Sequence, residues 1–196
     1  INREAILKNL VGPGSVIPHA ACYPEQFACS ADVVKYEYNP DKAKKLLAEA
    51  GYPNGFEFDF YGYRDRDVLE AIIGDLGKVG IKAKLNFMQY VTFLDNVRKG
   101  KVPLGHATWG SNSIPDVSAI TAHFFLGGPD DTAKDPEVIK GITEADSLID
   151  PEKRKAAWQK VLNRIQAEAY WLSLFTYTKY QAWSKDLDYT PTTDEI

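Results

Sequence analysis

The residues best suited to gripping a small molecule stand together: Trp109, Gly110, Ser111 and Asn112, at the head of a turn that runs on through Ser113, Ile114, Pro115 and Asp116. An indole supplies a rigid apolar wall, a glycine lets backbone approach a ligand closely, and Ser and Asn add uncharged hydrogen bonds. That chemistry is recognition without reaction. The competing reading of the same residues is a buried tryptophan followed by an ordinary turn.

Reactive groups are sparse and scattered. His19, His106 and His123 do not stand at the spacing of a metal-binding helix, and there is no Gly-x-Ser-x-Gly elbow for a serine nucleophile. Gly12-Pro13-Gly14 lacks the spaced glycines and lysine of a phosphate loop. A hydrolase built on His106 or His123 with a neighbouring carboxylate is the enzyme alternative, and the missing nucleophile motif argues against it. Cys22 and Cys29 allow a disulfide, two unrelated buried thiols, or half of a zinc site that no neighbouring residue completes, so no metal site and no cofactor are expected.

The 196 residues carry a net charge of -4 with both signs interspersed, which gives no basic footprint for nucleic acid or an anionic membrane. No apolar run approaches the roughly 18 residues of a membrane-spanning helix, and Ile1-Asn2-Arg3-Glu4 does not resemble a secretory signal. Hydrophobic residues make up 44%, enough for a sizeable core.

The elements that would position the Trp109 turn are an α/β series. Asn39-Pro40, Asp135-Pro136 and Asp150-Pro151 each place a capping side chain before a proline at the first helical position. The first starts an amphipathic helix that stops at Gly51. Phe56, Phe58 and Phe60 alternate with acids, and Ile81, Ala83, Leu85 and Phe87 alternate with Lys82 and Lys84, around a helix from about Asp67 to Val79. Strand, helix and strand predict a parallel βαβ unit, with Glu57 and Asp59 beside Lys82 and Lys84.

A helix over Tyr90 to Lys99, a strand over Leu104 to Trp109 and a helix over Val117 to Phe125 follow. The helix after Asp150 aligns Trp158, Val161, Leu162, Ile165 and Ala169 on a core-facing stripe, and Leu172 to Trp183 predicts a closing strand. Trp109 to Asn112 would then lie beyond the carboxyl end of a strand, where open α/β sheets bind ligands. One α/β domain with a mixed central sheet flanked by helices, residues 1–196, is the expected architecture.

The segment Tyr38-Asn39-Pro40-Asp41-Lys42-Ala43-Lys44-Lys45-Leu46-Leu47-Ala48-Glu49-Ala50-Gly51-Tyr52-Pro53-Asn54-Gly55-Phe56, with Val79-Gly80-Ile81-Lys82, resembles extracellular solute-binding protein family 5, the dipeptide and oligopeptide type serving ABC importers. Ile1 to Ile6, Trp109-Gly110 with Pro115-Asp116, Asp150 to Arg154 and Ala169 to Phe175 extend the match along nearly the whole chain.

The resemblance implies the C-terminal lobe of a periplasmic-binding-protein type II-like fold, with a further lobe and an export signal preceding it and a return strand following. Such proteins grip ligand between two lobes that close about a hinge. It implies a monomeric, extracytoplasmic or periplasmic binding component, not an enzyme, with peptides or related solutes as ligands, membrane permease subunits as partners, and oxidised Cys22 and Cys29. An opine, sugar or metal chelate is the alternative ligand class, and a sensory or chaperone relative the alternative role.

It also assigns positions. Where family members often carry an aspartate for a peptide's ammonium, this chain has Asn112, which accepts a hydrogen bond but brings no countercharge; Asp116 is the residue placed to compensate. His106 stands where some members are basic. Arg64, and secondarily Arg66, match an arginine that clamps a ligand carboxylate with its planar fork.

Overall fold

The computed structural model describes residues 1–110 and 114–190. The chain divides into two compact units, the first built from residues 1–12 and 36–108, the second from 13–35 and from Trp109 onward.

In the first unit, α1 (Arg3–Ile6) is capped by Asn2, whose side chain accepts from the amide of Ala5, and runs into a π-helical turn. The amphipathic helix α2 (Pro40–Glu49) starts as expected, with the Asn39 side chain accepting from the Lys42 amide. Then come β1 (Glu57–Gly62), α3 (Arg66–Gly77), β2 (Lys82–Phe87), α4 (Tyr90–Arg98) and β3 (Leu104–Gly105). The sheet order is β2-β1-β3, with both neighbours of β1 parallel to it.

The βαβ unit and its register are those the alternation predicts: Glu57 pairs with Lys82 and Asp59 with Lys84. Lys82 Nζ lies 3.0 Å from Glu57 Oε1, whereas Asp59 takes its hydrogen bond from Asn86. The two strands begin so close together that a Cβ on Gly55 would lie 1.9 Å from the carbonyl oxygen of Gly80. Phe60, Val68, Leu69, Ile72 and Phe93 are buried around this sheet.

Three departures have physical causes. The strand expected over Leu104 to Trp109 is ladder-paired only at Leu104 and Gly105, although the His106 amide still donates to Tyr61 O at 2.8 Å. Leu172 to Trp183 forms no strand: the Thr176 amide donates to Val16 O, and Tyr177, Tyr180 and Trp183 are exposed, so a strand-like composition finds no ladder to join. The sheet among the described residues is therefore parallel throughout, not mixed.

The second unit packs α5 (Ser118–Phe125), α6 (Pro136–Ser147) and α7 (Pro151–Ala167) around Val117, Phe125, Val138, Ile142, Ala145, Trp158, Val161, Leu162 and Ile165, all buried. Asp135 and Asp150 cap α6 and α7 as their Asp-Pro pairs predict. The α7 stripe is core as far as Ile165. Ala169 falls beyond the helix end, exposed, with φ at +53°. Gly141 lets α6 approach α7, since a Cβ there would sit 2.7 Å from Val161.

The Cys22–Cys29 disulfide closes a small loop in this unit, with Cα atoms 5.8 Å apart. Phe27 within that loop forms a parallel bridge to Asp116: the Phe27 amide donates to Pro115 O and the Val117 amide to Phe27 O. Gln26 adds a side-chain bond to Ile114 O. The segment just after residues 111–113 is thus held by the disulfide loop.

Candidate functional site

In the first unit, β1 and β3 run parallel, so their carboxyl ends lie on one side, where open α/β sheets receive ligands. Chain leaving β1 presents Tyr63, Arg64 and Asp65; chain leaving β3 presents His106, Ala107 and Thr108. The two ends are tied together. Tyr63 Oη lies 2.8 Å from Thr108 Oγ1 and accepts from the Thr108 amide at 3.1 Å, while the Tyr63 ring packs on Tyr90 and Phe93. Arg64 is half exposed, with Nε 3.2 Å from Asp65 and Nη1 3.4 Å from Thr108 Oγ1. Asp65 itself sits at φ +50°, a left-handed turn that acidic and amide residues tolerate best, and sets the start of α3.

Arg66 is drawn the other way. Its guanidinium lies 4.5 Å from the centroid of Phe87 and 3.5 Å from Glu70. His106 is only 7% exposed, and its Nδ1 meets no hydrogen-bond partner among the described residues. Burial lowers its affinity for a proton; Asp65 opposes that shift and Arg64 reinforces it.

In the second unit, Trp109 begins an aromatic column. Its ring centroid lies 4.5 Å from that of His123, with 28° between the planes, and 5.1 Å from Phe124 edge-on. Phe124 in turn meets Trp171 at 4.8 Å, and Trp171 meets the buried Phe125 at 5.0 Å. The indole is thereby anchored to the core through α5, yet remains 37% exposed. Gly110 beside it is exposed; Ser111, Asn112 and Ser113 lie outside the described residues.

Asp116 is fully engaged. Arg154 clasps both its oxygens, at 2.5 and 2.9 Å, and the Ser118 amide donates to Oδ1. Although burial raises the Asp116 pKa, Arg154 and Ser118 outweigh it and the net shift is downward.

Tyr63, Thr108 and Arg154 are partners that sequence reasoning did not select, and His123, weighed there only as a hydrolase residue, stacks on Trp109. Tyr63 and Thr108 are each within three residues of a strand end, which was the available signal. Nothing in the sequence pairs His123 with Trp109 or Arg154 with Asp116, because those contacts depend on how the helices pack. Among the described residues no group of three or more His, Cys, Asp or Glu side chains is placed to hold a metal, and no helix is long and apolar enough to cross a membrane.

Residues 1–132 match the family described as bacterial extracellular solute-binding proteins, family 5 Middle. The chain is 25% identical over 184 residues to heme-binding protein A of Haemophilus influenzae, taking in 88% of this chain and 34% of that protein. It is 31% identical over 125 residues to the dipeptide-binding protein of Escherichia coli, covering 59% of this chain and 23% of that one. Its fold matches the periplasmic binding protein DppA of Helicobacter pylori, solved with the peptide STSA, at a TM-score of 0.82 and 22% identity over 89% of this chain and 36% of that chain. The chain thus spans about a third or less of the length of these relatives.

Proposed function

The chain belongs to family 5 of the bacterial extracellular solute-binding proteins, and from that premise we propose that it is one ligand-facing lobe of an ABC-importer binding protein that takes peptides. The observation that carries this reading is Trp109: a large aromatic residue, 37% exposed, that follows β3 in the chain and is held by an aromatic column instead of being absorbed into the core. Exposed but rigid aromatic surface beside neutral polar residues is what a recognition site needs.

In this proposal Trp109, Gly110, Ser111, Asn112 and Ser113 line the peptide's backbone, and Arg64 meets a ligand carboxylate. Arg64 is favoured over Arg66 because it leaves the carboxyl end of β1 beside Thr108, while Arg66 rests on Phe87. Asp116, already neutralised by Arg154, braces the segment that follows the turn. His106 packs the strand. A binding protein has no step for a nucleophile to perform, in keeping with a non-enzymatic role. The proposed partners are permease subunits and the compartment is extracytoplasmic, where the Cys22–Cys29 disulfide would persist.

Calorimetry of the complete protein against a peptide panel including STSA tests the reading. Saturable binding that weakens at least about tenfold in Trp109→Ala, the scale of a lost aromatic anchor, is the expected result. Absence of binding to every peptide, or a Trp109→Ala variant that binds like wild type, overturns it.

A further inference from the structure

Trp109 can serve as a binding wall only if its plane is fixed before ligand arrives, and a side chain at the edge of a turn is not fixed by its own backbone. The fixing comes from α5. His123, in the last turn of that helix, lies 4.5 Å from the indole with 28° between the ring planes, close to parallel. Phe124, the next residue, meets both Trp109 and His123 edge-on, at 5.1 and 4.6 Å. One face of the indole is therefore covered by the imidazole, while Trp109 as a whole remains 37% exposed.

The imidazole is held in turn. His123 Nε2 lies 3.1 Å from Asp130 Oδ2. A carboxylate can only accept, so this contact places a proton on Nε2 and sets the orientation of the ring. Asp130 is itself almost wholly buried, with its side chain 7% exposed, while the side chain of His123 is 41% exposed. The order of anchoring is thus a buried carboxylate, a half-exposed imidazole and an exposed indole. The Gly127 to Lys134 turn that carries Asp130 is stiffened by Asp131, whose buried carboxylate accepts from the amides of Gly127, Ala133 and Lys134.

We propose that His123, oriented by Asp130, is the positioning residue of the ligand-contacting tryptophan: it backs one face of Trp109 and leaves the other presented to ligand. This rests on the reading of Trp109 as a binding wall. His123 touches the indole and not the ligand, so its effect on affinity comes through preorganisation, by removing alternative side-chain orientations that binding would otherwise have to freeze out. The ring carries this role, and the Asp130 contact keeps the ring in place. A phenylalanine at position 123 therefore retains most of it and an alanine does not.

The test uses the complete protein labelled with fluorotryptophan, in which the fluorine resonance of Trp109 is the one lost in Trp109→Phe. In His123→Ala this resonance is expected to move or broaden beyond its wild-type linewidth, and affinity for the peptide STSA to fall about tenfold, the scale of one lost aromatic pair with its ordering cost. His123→Phe restores both, and Asp130→Ala shifts the resonance in the same direction by less. An unmoved resonance in His123→Ala, or a well-folded His123→Phe that restores neither signal nor affinity, overturns the proposal. Should His123→Ala fail to fold, His123→Gln, which keeps a donor for Asp130 and removes the ring, carries the same expectation and the same power to overturn. A wild type that does not bind STSA counts against the peptide reading alone, and the fluorine spectrum still judges the positioning role.

Discussion

Arg154 and Asp116, 38 residues apart in sequence, meet as a two-pronged pair: Nη1 lies 2.5 Å from Oδ2 and Nη2 2.9 Å from Oδ1. The same Nη2 reaches Asp146 at 2.9 Å, and the guanidinium lies 5.4 Å from the Phe27 ring centroid. One side chain of α7 thus joins the segment after the Trp109 turn, the end of α6 and the disulfide loop. Only a planar fork satisfies all three.

Arg154→Lys should consequently behave as a disruptive change. The pair is partly buried, so its loss falls between an exposed pair and a buried one, about 2 kcal/mol. Urea unfolding of the two proteins measures this directly, and a variant with the wild-type midpoint would show that the fork contributes nothing beyond charge.

Asp135 predicts an acid limb to the stability curve. Burial raises its pKa, but Arg164, Tyr170 and the amides of Glu137 and Val138 hold it down at about 2, from an ordinary 3.8. A folded pKa below the unfolded one means that the unfolded state binds protons first as pH falls. The stabilisation is complete above about pH 5 and is lost progressively as pH drops through 4 towards 2. Asp135→Asn should flatten that limb and lower stability at neutral pH. Urea midpoints across this range decide it, and parallel pH profiles for the two proteins would refute it.

The fold was legible where local chemistry and tertiary context agree. Asn39, Asp135 and Asp150 announced their helices because an Asx side chain before a proline satisfies amides that no distant contact needs to supply. The β1 and β2 register followed from alternation and charge. Leu172 to Trp183 misled because β-branched and aromatic residues describe a surface that suits a sheet, and pairing depends on a neighbour the pattern does not name. The site divided similarly. Residue types single out the Trp109 turn as the proposed site, but the engagement of Asp116 by Arg154 and the stacking of His123 on Trp109 arise from helix packing across long sequence separations.

His106 predicts a second pH effect, with its own window. Burial lowers its pKa below the ordinary value of 6.5, so the folded state resists protonation that the unfolded state accepts. Its contribution is present above about pH 6.5 and declines as pH falls below that value towards the lowered folded pKa. His106→Leu removes the titrating group and also the unpartnered Nδ1. Thermal unfolding between neutral and mildly acid pH should therefore fall less steeply in the variant, and an identical slope would count against a buried, neutral His106.

The disulfide predicts a local and a global effect that can be separated. Cys22 and Cys29 are seven positions apart, and closing so short a ring restricts the unfolded chain by about 2 kcal/mol. For a chain of this size that is a fall in melting temperature of about 4 to 8 °C on reduction or in a Cys22→Ala/Cys29→Ala variant. The local effect follows from Phe27, whose amide and carbonyl bridge Pro115 and Val117 from inside the ring. Opening the ring frees that bridge, so the amides of Phe27 and Val117 should lose protection from hydrogen exchange more than those of α6 and α7, whose bonds lie within helices. The Trp109 turn precedes this bridge in sequence, and under the proposed function peptide affinity of the complete protein should drop with it even where the protein remains folded. Uniform loss of protection would mean that the disulfide only raises global stability; selective loss at Phe27 and Val117 would identify it as the brace of the segment that follows the turn.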